Sequence, residues 1–87
     1  MNLFTPTEVQ ARLSADVKRA RKHARWTQQD MSERTGIPYS TYRLFESTGQ
    51  TSLENFLKIV GVLGRFAPLQ ELFPAPEYES LDDIDGL

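Results

Sequence analysis

The stretch GIPYSTYRLFE, Gly36 to Glu46, decides how this chain is to be read. A glycine closes one helical pattern as a left-handed C-cap residue, and a second short helix starts just beyond it, at Pro38 or Tyr39, and runs to Phe45. Steps of three and four residues bring Ile37, Tyr42 and Phe45 to one side, which makes them core residues. Tyr39, Ser40, Arg43 and Leu44 look outward or along the edge. A helix that only filled a core would carry inert Lys, Glu or Ala there, whereas this face donates, accepts and stacks.

Working outward, Thr27 caps a helix over QQDMSERT that Gly36 stops, so two short helices flank a glycine turn in a helix-turn-helix pattern. Downstream, STGQTS reads as a loop and Ser52 caps LENFLKIVGVL, with Leu53, Phe56, Leu57, Val60 and Leu63 expected inside and Gly64 at its end. APLQELF adds a turn or two before Pro74. Upstream, Thr5-Pro6 is an N-cap followed by the helix-first proline, and Glu8 completes the spacing of a capping box. From there Val9, Leu13, Val17, Ala20 and Ala24 form one apolar stripe, which predicts a helix to about Ala24. No useful period-two alternation interrupts this pattern, and the expectation is an all-α, compact bundle of about five helices.

Composition narrows the function. With 39% hydrophobic and 25% charged residues over 87 positions, the chain is ordinary for one globular domain, and no apolar run approaches the length of a spanning helix. Its N-terminus, MNLFTPTEVQ, lacks the pattern of a signal peptide, so the cytoplasm is the expected location. There is no cysteine and one histidine, His23, which leaves no thiol chemistry and no His/Cys ligand cluster; no metal, cofactor or enzymatic activity is expected. The net charge of −2 is divided unevenly: residues 1–70 hold all ten bases against six acids, net +4, and residues 71–87 hold six acids and no base. We therefore expect residues 1–74 to form the domain, with an N-terminal helical extension, and residues 75–87 to be an acidic tail, flexible or docked. A basic body suits a polyanion, although the cluster Lys18, Arg19, Arg21, Lys22 and Arg25 reads equally well as a solvated helix end.

From about Ala15 to Phe73 the chain resembles the Xre (Cro/C1-type) helix-turn-helix family of prokaryotic and phage regulators. The likeness is carried in order by VKRARKHARWTQQDMSERTG, GIPYSTYRLFE and LENFLKIVGVLGRFAPLQELF, and implies a lambda-repressor-like domain. Within the family, YSTYRLFESTGQTSLENFLKIVGVLG is most similar to the HipB-type antitoxins, which are encoded beside HipA-type serine/threonine kinase toxins. The resemblance implies that Gln28, and more weakly Gln29, meet the DNA backbone at the start of the second helix. It implies base reading by Tyr39 and Ser40, with Arg43 one turn on and Thr41 holding a phosphate. Arg21 and Glu46 match a family ion pair that positions the third helix, and Tyr42 is expected in the core with its hydroxyl emerging near the DNA backbone. Two departures stand out: Pro38 replaces the usual polar N-cap, and Gly49 follows Glu46 by three residues rather than two. Ser47, Thr48 and Gln50 are still expected to point at the DNA backbone.

The resemblance thus implies a sequence-specific repressor that binds double-stranded DNA at a palindromic operator as a homodimer, with a HipA-type kinase as the further partner of an autoregulating antitoxin. The alternatives are a stand-alone phage or bacterial repressor of the same family, and a protein-binding adaptor in which DNA binding is secondary. Leu69, Leu72 and Phe73, together with Leu3 and Phe4, are candidate contact surfaces for a second copy, and the first three serve equally well to close the core.

Overall fold

A computed structural model of the chain describes residues 4–74. Five helices follow one another with no strand among the described residues: α1 (Pro6–His23), α2 (Gln28–Thr35), α3 (Tyr39–Thr48), α4 (Leu53–Val62) and α5 (Phe66–Gln70). Helix α3 packs on both α1 and α2, α2 also packs on α4, and α5 folds back on α4. The expected acidic tail, and Leu3, lie outside the described residues.

Local chemistry accounts for most boundaries. The Thr5 hydroxyl accepts the Glu8 amide at 3.1 Å, but the return bond of a full capping box is not formed. The complete box belongs to α2, where Thr27 accepts from the Asp30 amide at 3.0 Å and the Asp30 carboxylate accepts from the Thr27 amide at 2.8 Å. Those bonds to Thr27 hold the Asp30 carboxyl below its ordinary range. Helix α1 ends in a Schellman turn, with the Trp26 amide bonded to the Arg21 carbonyl and Arg25 in the left-handed region at φ 64°, a place glycine usually takes.

Helix α3 is three residues longer than the sequence reading of Tyr39–Phe45. Ser47 and Thr48, read as loop, form its last turn, because both hydroxyls fold back onto the Leu44 carbonyl and Gly49 supplies the left-handed stop at φ 79°. Gly49 is also held by space: a Cβ there would sit 2.9 Å from the backbone of Gln10, so the end of α3 packs directly on α1.

Val17, Met31, Ile37, Tyr42, Phe45 and Ile59 form the core, with Trp26, Phe56, Val62 and Leu63 packed against it. Phe45 is central, its ring 6.3 Å from both Tyr42 and Phe56 in tilted and edge-on arrangements. Two expected stripes are corrected. On α4 the inward residues are Phe56, Ile59, Val60 and Leu63, whereas Leu53 is 72% exposed and Leu57 is also exposed. On α1 only Val17 of the expected stripe is fully buried; Val9 and Leu13 are exposed because the first two turns overhang a core too short to cover them, and Ala24, the C-cap at the other end, is exposed too. Leu69 is half-buried beside α4, while Leu72 and Phe73 are exposed and do not close the core.

Candidate nucleic-acid interface

The site is built on a buried ion pair. Arg21, in the last turns of α1, holds Glu46 of α3 with two donors, Nε to Oε2 at 2.7 Å and Nη2 to Oε1 at 3.0 Å. Its third nitrogen, Nη1, donates to the Trp26 carbonyl at 2.8 Å. Gln28 Nε2 adds a bond to Glu46 Oε1 at 3.1 Å, and the Tyr42 hydroxyl donates to Glu46 Oε2. One carboxylate thus ties together α1, α2 and α3. Burial of a charge is costly unless every lone pair is used, and here the condition is met: among the described residues no buried side-chain nitrogen or oxygen lacks a partner.

Ionisation follows from these contacts. Burial opposes the charge on Glu46, but the bonds from Arg21, Tyr42 and Gln28 outweigh it and hold the carboxyl below its ordinary value. The bond from Glu46 raises the Arg21 guanidinium further against desolvation. Burial first, then the neighbouring carboxylate, pushes the Tyr42 phenol well above its usual range, so it remains a donor. Arg21 has all three nitrogens engaged inward and acts by position. Tyr42 is corrected: it is wholly buried, and its hydroxyl serves Glu46 instead of emerging near the DNA backbone.

This anchored α3 presents its other side to solvent. A shallow, open concavity is lined by Lys18 of α1, Gln28 of α2, and Ser40, Arg43, Leu44, Glu46 and Ser47 of α3. Ser40 and Arg43 therefore meet in one place, joined by Lys18, whose cluster the sequence showed without singling it out. Gln29, Tyr39, Thr41 and Thr48 are exposed but outside that lining. The Arg43 guanidinium rests 5.5 Å from the Tyr39 ring centroid, so Tyr39 supports the arginine from the helix start. Gln28 is half-buried and spends a donor on Glu46, which makes it a strut of the site as well as a lining residue. Thr48 is exposed but its hydroxyl is engaged by its own chain, donating to the Leu44 carbonyl at 2.7 Å and accepting the Gln50 amide at 3.1 Å.

The two helix starts differ in electrostatics. At α2 the amides are partly used by the Thr27–Asp30 box, which also places a carboxylate there. At α3 Pro38 sets the backbone without a side-chain cap, so the amides of the first turn have no side-chain acceptor and the positive end of the helix faces outward beside Ser40 and Arg43. Anionic oxygens are favoured at the second place over the first.

A family model of helix-turn-helix proteins matches residues 17–66, a span that holds α1 from its buried half through α4 and covers the anchoring pair and the concavity alike. The chain belongs to this helix-turn-helix family, of the Cro/C1 type, and its general class is that of DNA-binding transcriptional regulators. No curated protein and no solved structure matches it. No helix among the described residues is long and apolar enough to cross a membrane.

Proposed function

We propose that the protein is a repressor that reads a specific operator through α3, with Ser40 and Arg43 at base edges and Lys18, Thr41 and the first-turn amides of α3 on phosphates. The observation that carries this reading is the Arg21–Glu46 network. It locks α3 against α1 and α2 while leaving Ser40, Arg43 and Lys18 together on one open, basic surface. Rigid placement is what base reading demands, since a bidentate contact tolerates little displacement. Arginine donates to guanine O6 and N7, and serine exchanges bonds with several bases. Gln29 stands beside the surface and Ser47 on its lining, both as DNA-backbone contacts.

One such helix reads few base pairs, so selectivity in a genome calls for two half-sites about 34 Å apart and a two-fold dimer. An apolar band supports a protein contact of this kind. It runs through Val9 and Leu13 of α1, Leu53, Phe56 and Val60 of α4, and Leu69, and shares no lining residue with the polar concavity. The same band favours the second reading, an antitoxin that holds a HipA-type kinase and autoregulates its operon.

The test is binding of the purified protein to its own promoter DNA across a salt series, with scrambled DNA as competitor. Tight, salt-dependent, promoter-selective binding is expected, with the slope reduced by about one in Lys18→Ala. Weak binding indifferent to sequence would overturn the repressor reading and leave the adaptor. Sedimentation of the free and DNA-bound protein tests the dimer, and co-purification with the product of an adjacent kinase-like reading frame tests the antitoxin.

A further inference from the structure

The reading surface contains one group that does not belong to a polar, basic site. Leu44 is half exposed, at 50%, yet lines the concavity among Lys18, Ser40, Arg43, Glu46 and Ser47. It is not a core residue, since α3 contributes only Tyr42 and Phe45 to the core cluster. Nor does it line any of the cavities that make up the apolar band of α1, α4 and α5, so it does not extend that surface. A single exposed leucine is unremarkable elsewhere; here its place in the site matters.

Its neighbours define what it offers. Leu44 follows Arg43 directly and lies one turn beyond Ser40, about 6 Å along the helix axis at 1.5 Å per residue, which is roughly the rise of two base pairs. The hydroxyls of Ser47 and Thr48, the next polar groups on the helix, both donate to the Leu44 carbonyl, at 3.2 and 2.7 Å. Their protons are committed to the helix backbone. The second turn of α3 therefore presents an apolar isobutyl group beside the Arg43 guanidinium to whatever enters the concavity, where the first turn presents the Ser40 hydroxyl.

We infer that Leu44 is a specificity-determining residue that packs on the C5-methyl of a thymine next to the base read by Arg43. The inference rests on the operator-reading function proposed above. Among the edges exposed in the major groove, thymine alone of the four bases carries a methyl group; cytosine has only a C5–H at that place, and the purine edges carry acceptors and donors that a leucine would desolvate without a bond. The concavity thus selects by attraction to a thymine methyl, by the loss of that contact at cytosine and by a desolvation penalty at the purines.

The experiment selects a preferred duplex from a random pool with the full chain, then replaces each thymine in turn by uracil, which removes only the methyl. Wild-type protein should bind about fourfold more weakly at one thymine per half-site, the value of one buried methyl group. Leu44→Ala should lose that sensitivity while melting like the wild type, and Leu44→Met, which keeps an apolar tip, should retain it. Placing 5-methylcytosine at the same position should recover part of the wild-type affinity over cytosine. A selected duplex bound equally with thymine and uracil at every position overturns the assignment and leaves the repressor intact. A methyl effect unchanged in Leu44→Ala gives the contact to another residue and overturns it equally. A pool with no preferred sequence overturns the repressor reading and this inference with it.

Discussion

The two sides of α3 are built from the same ten residues and answer to different demands. Its inner side, Tyr42, Phe45, Glu46 and the glycine that ends it, is buried and fully bonded, tied to α1 and α2 by one carboxylate and to the Gln10 backbone by close contact. The outer side, with Ser40, Arg43 and Leu44, makes no hydrogen bond through its side chains to the rest of the domain and lies open. The difference teaches that position and recognition are separable here: the inner side sets where the helix lies, and the outer side sets what it meets. Substitutions should therefore divide cleanly between lost stability and lost binding.

The largest effect should come from the inner side. Glu46→Gln leaves the Arg21 guanidinium buried without its counter-charge, and chemical unfolding should show a loss of about 3–5 kcal/mol. A smaller loss than 1 kcal/mol would mean that water reaches the pair and the inner side is not dry. Gly49→Ala should follow, costing at least ~2 kcal/mol, since the left-handed backbone is strained for alanine and its Cβ would press on Gln10 at 2.9 Å.

Next in size is the outer side. Arg43→Ala should change stability by no more than ~0.5 kcal/mol while weakening operator binding by about 1–3 kcal/mol. Equal losses in both measurements would dissolve the distinction between the two sides.

Acid sharpens the same contrast. Because the folded Glu46 carboxyl is depressed below its ordinary 4.5, it contributes stability that is fully present above that value and lost as pH falls through the folded value. Asp30, depressed by its bonds to Thr27, has the same sign. Thermal melts should fall below about pH 4.5 in wild type, with a shallower fall in Glu46→Gln, where only the Asp30 share remains. Arg43→Ala should follow the wild-type profile.

The smallest effect has the opposite sign and lies away from α3. Arg25→Gly relieves the left-handed strain at the end of α1 but gains chain entropy in the unfolded state, for a net stabilisation of about 0.5–1 kcal/mol, read as a rise of a few degrees in melting temperature.

What proved legible in the chain, and what did not, follows the range of the interactions. Thr5, Thr27, Gly36 and Ser52 mark helix ends in the structure as they do in the sequence, because a cap is settled by a few adjacent residues. The Arg21–Glu46 pair was legible through family resemblance; spacing alone would not have joined residues so far apart. Asp30 was a missed signal, since Thr27 and an acid three residues on have the spacing of a capping box. The buried face of α4 was misread because LENFLKIVGVL is apolar on more than one side, so both a stripe with Leu53 and Leu57 and one with Phe56 and Ile59 fit the helical period.

By itself, the sequence determined an all-helical chain, the helix-turn-helix order, the starts of its principal helices and the polar outer side of α3, all consequences of contacts within a few residues. Only the tertiary structure decided which side of α4 turns inward, that α1 overhangs the core, that Gln28 and Tyr42 serve Glu46, and that Lys18 and Leu44 share one concavity with Ser40 and Arg43. Those outcomes depend on how helices cross, and a crossing is chosen by the packing of distant side chains against one another, which no local pattern encodes.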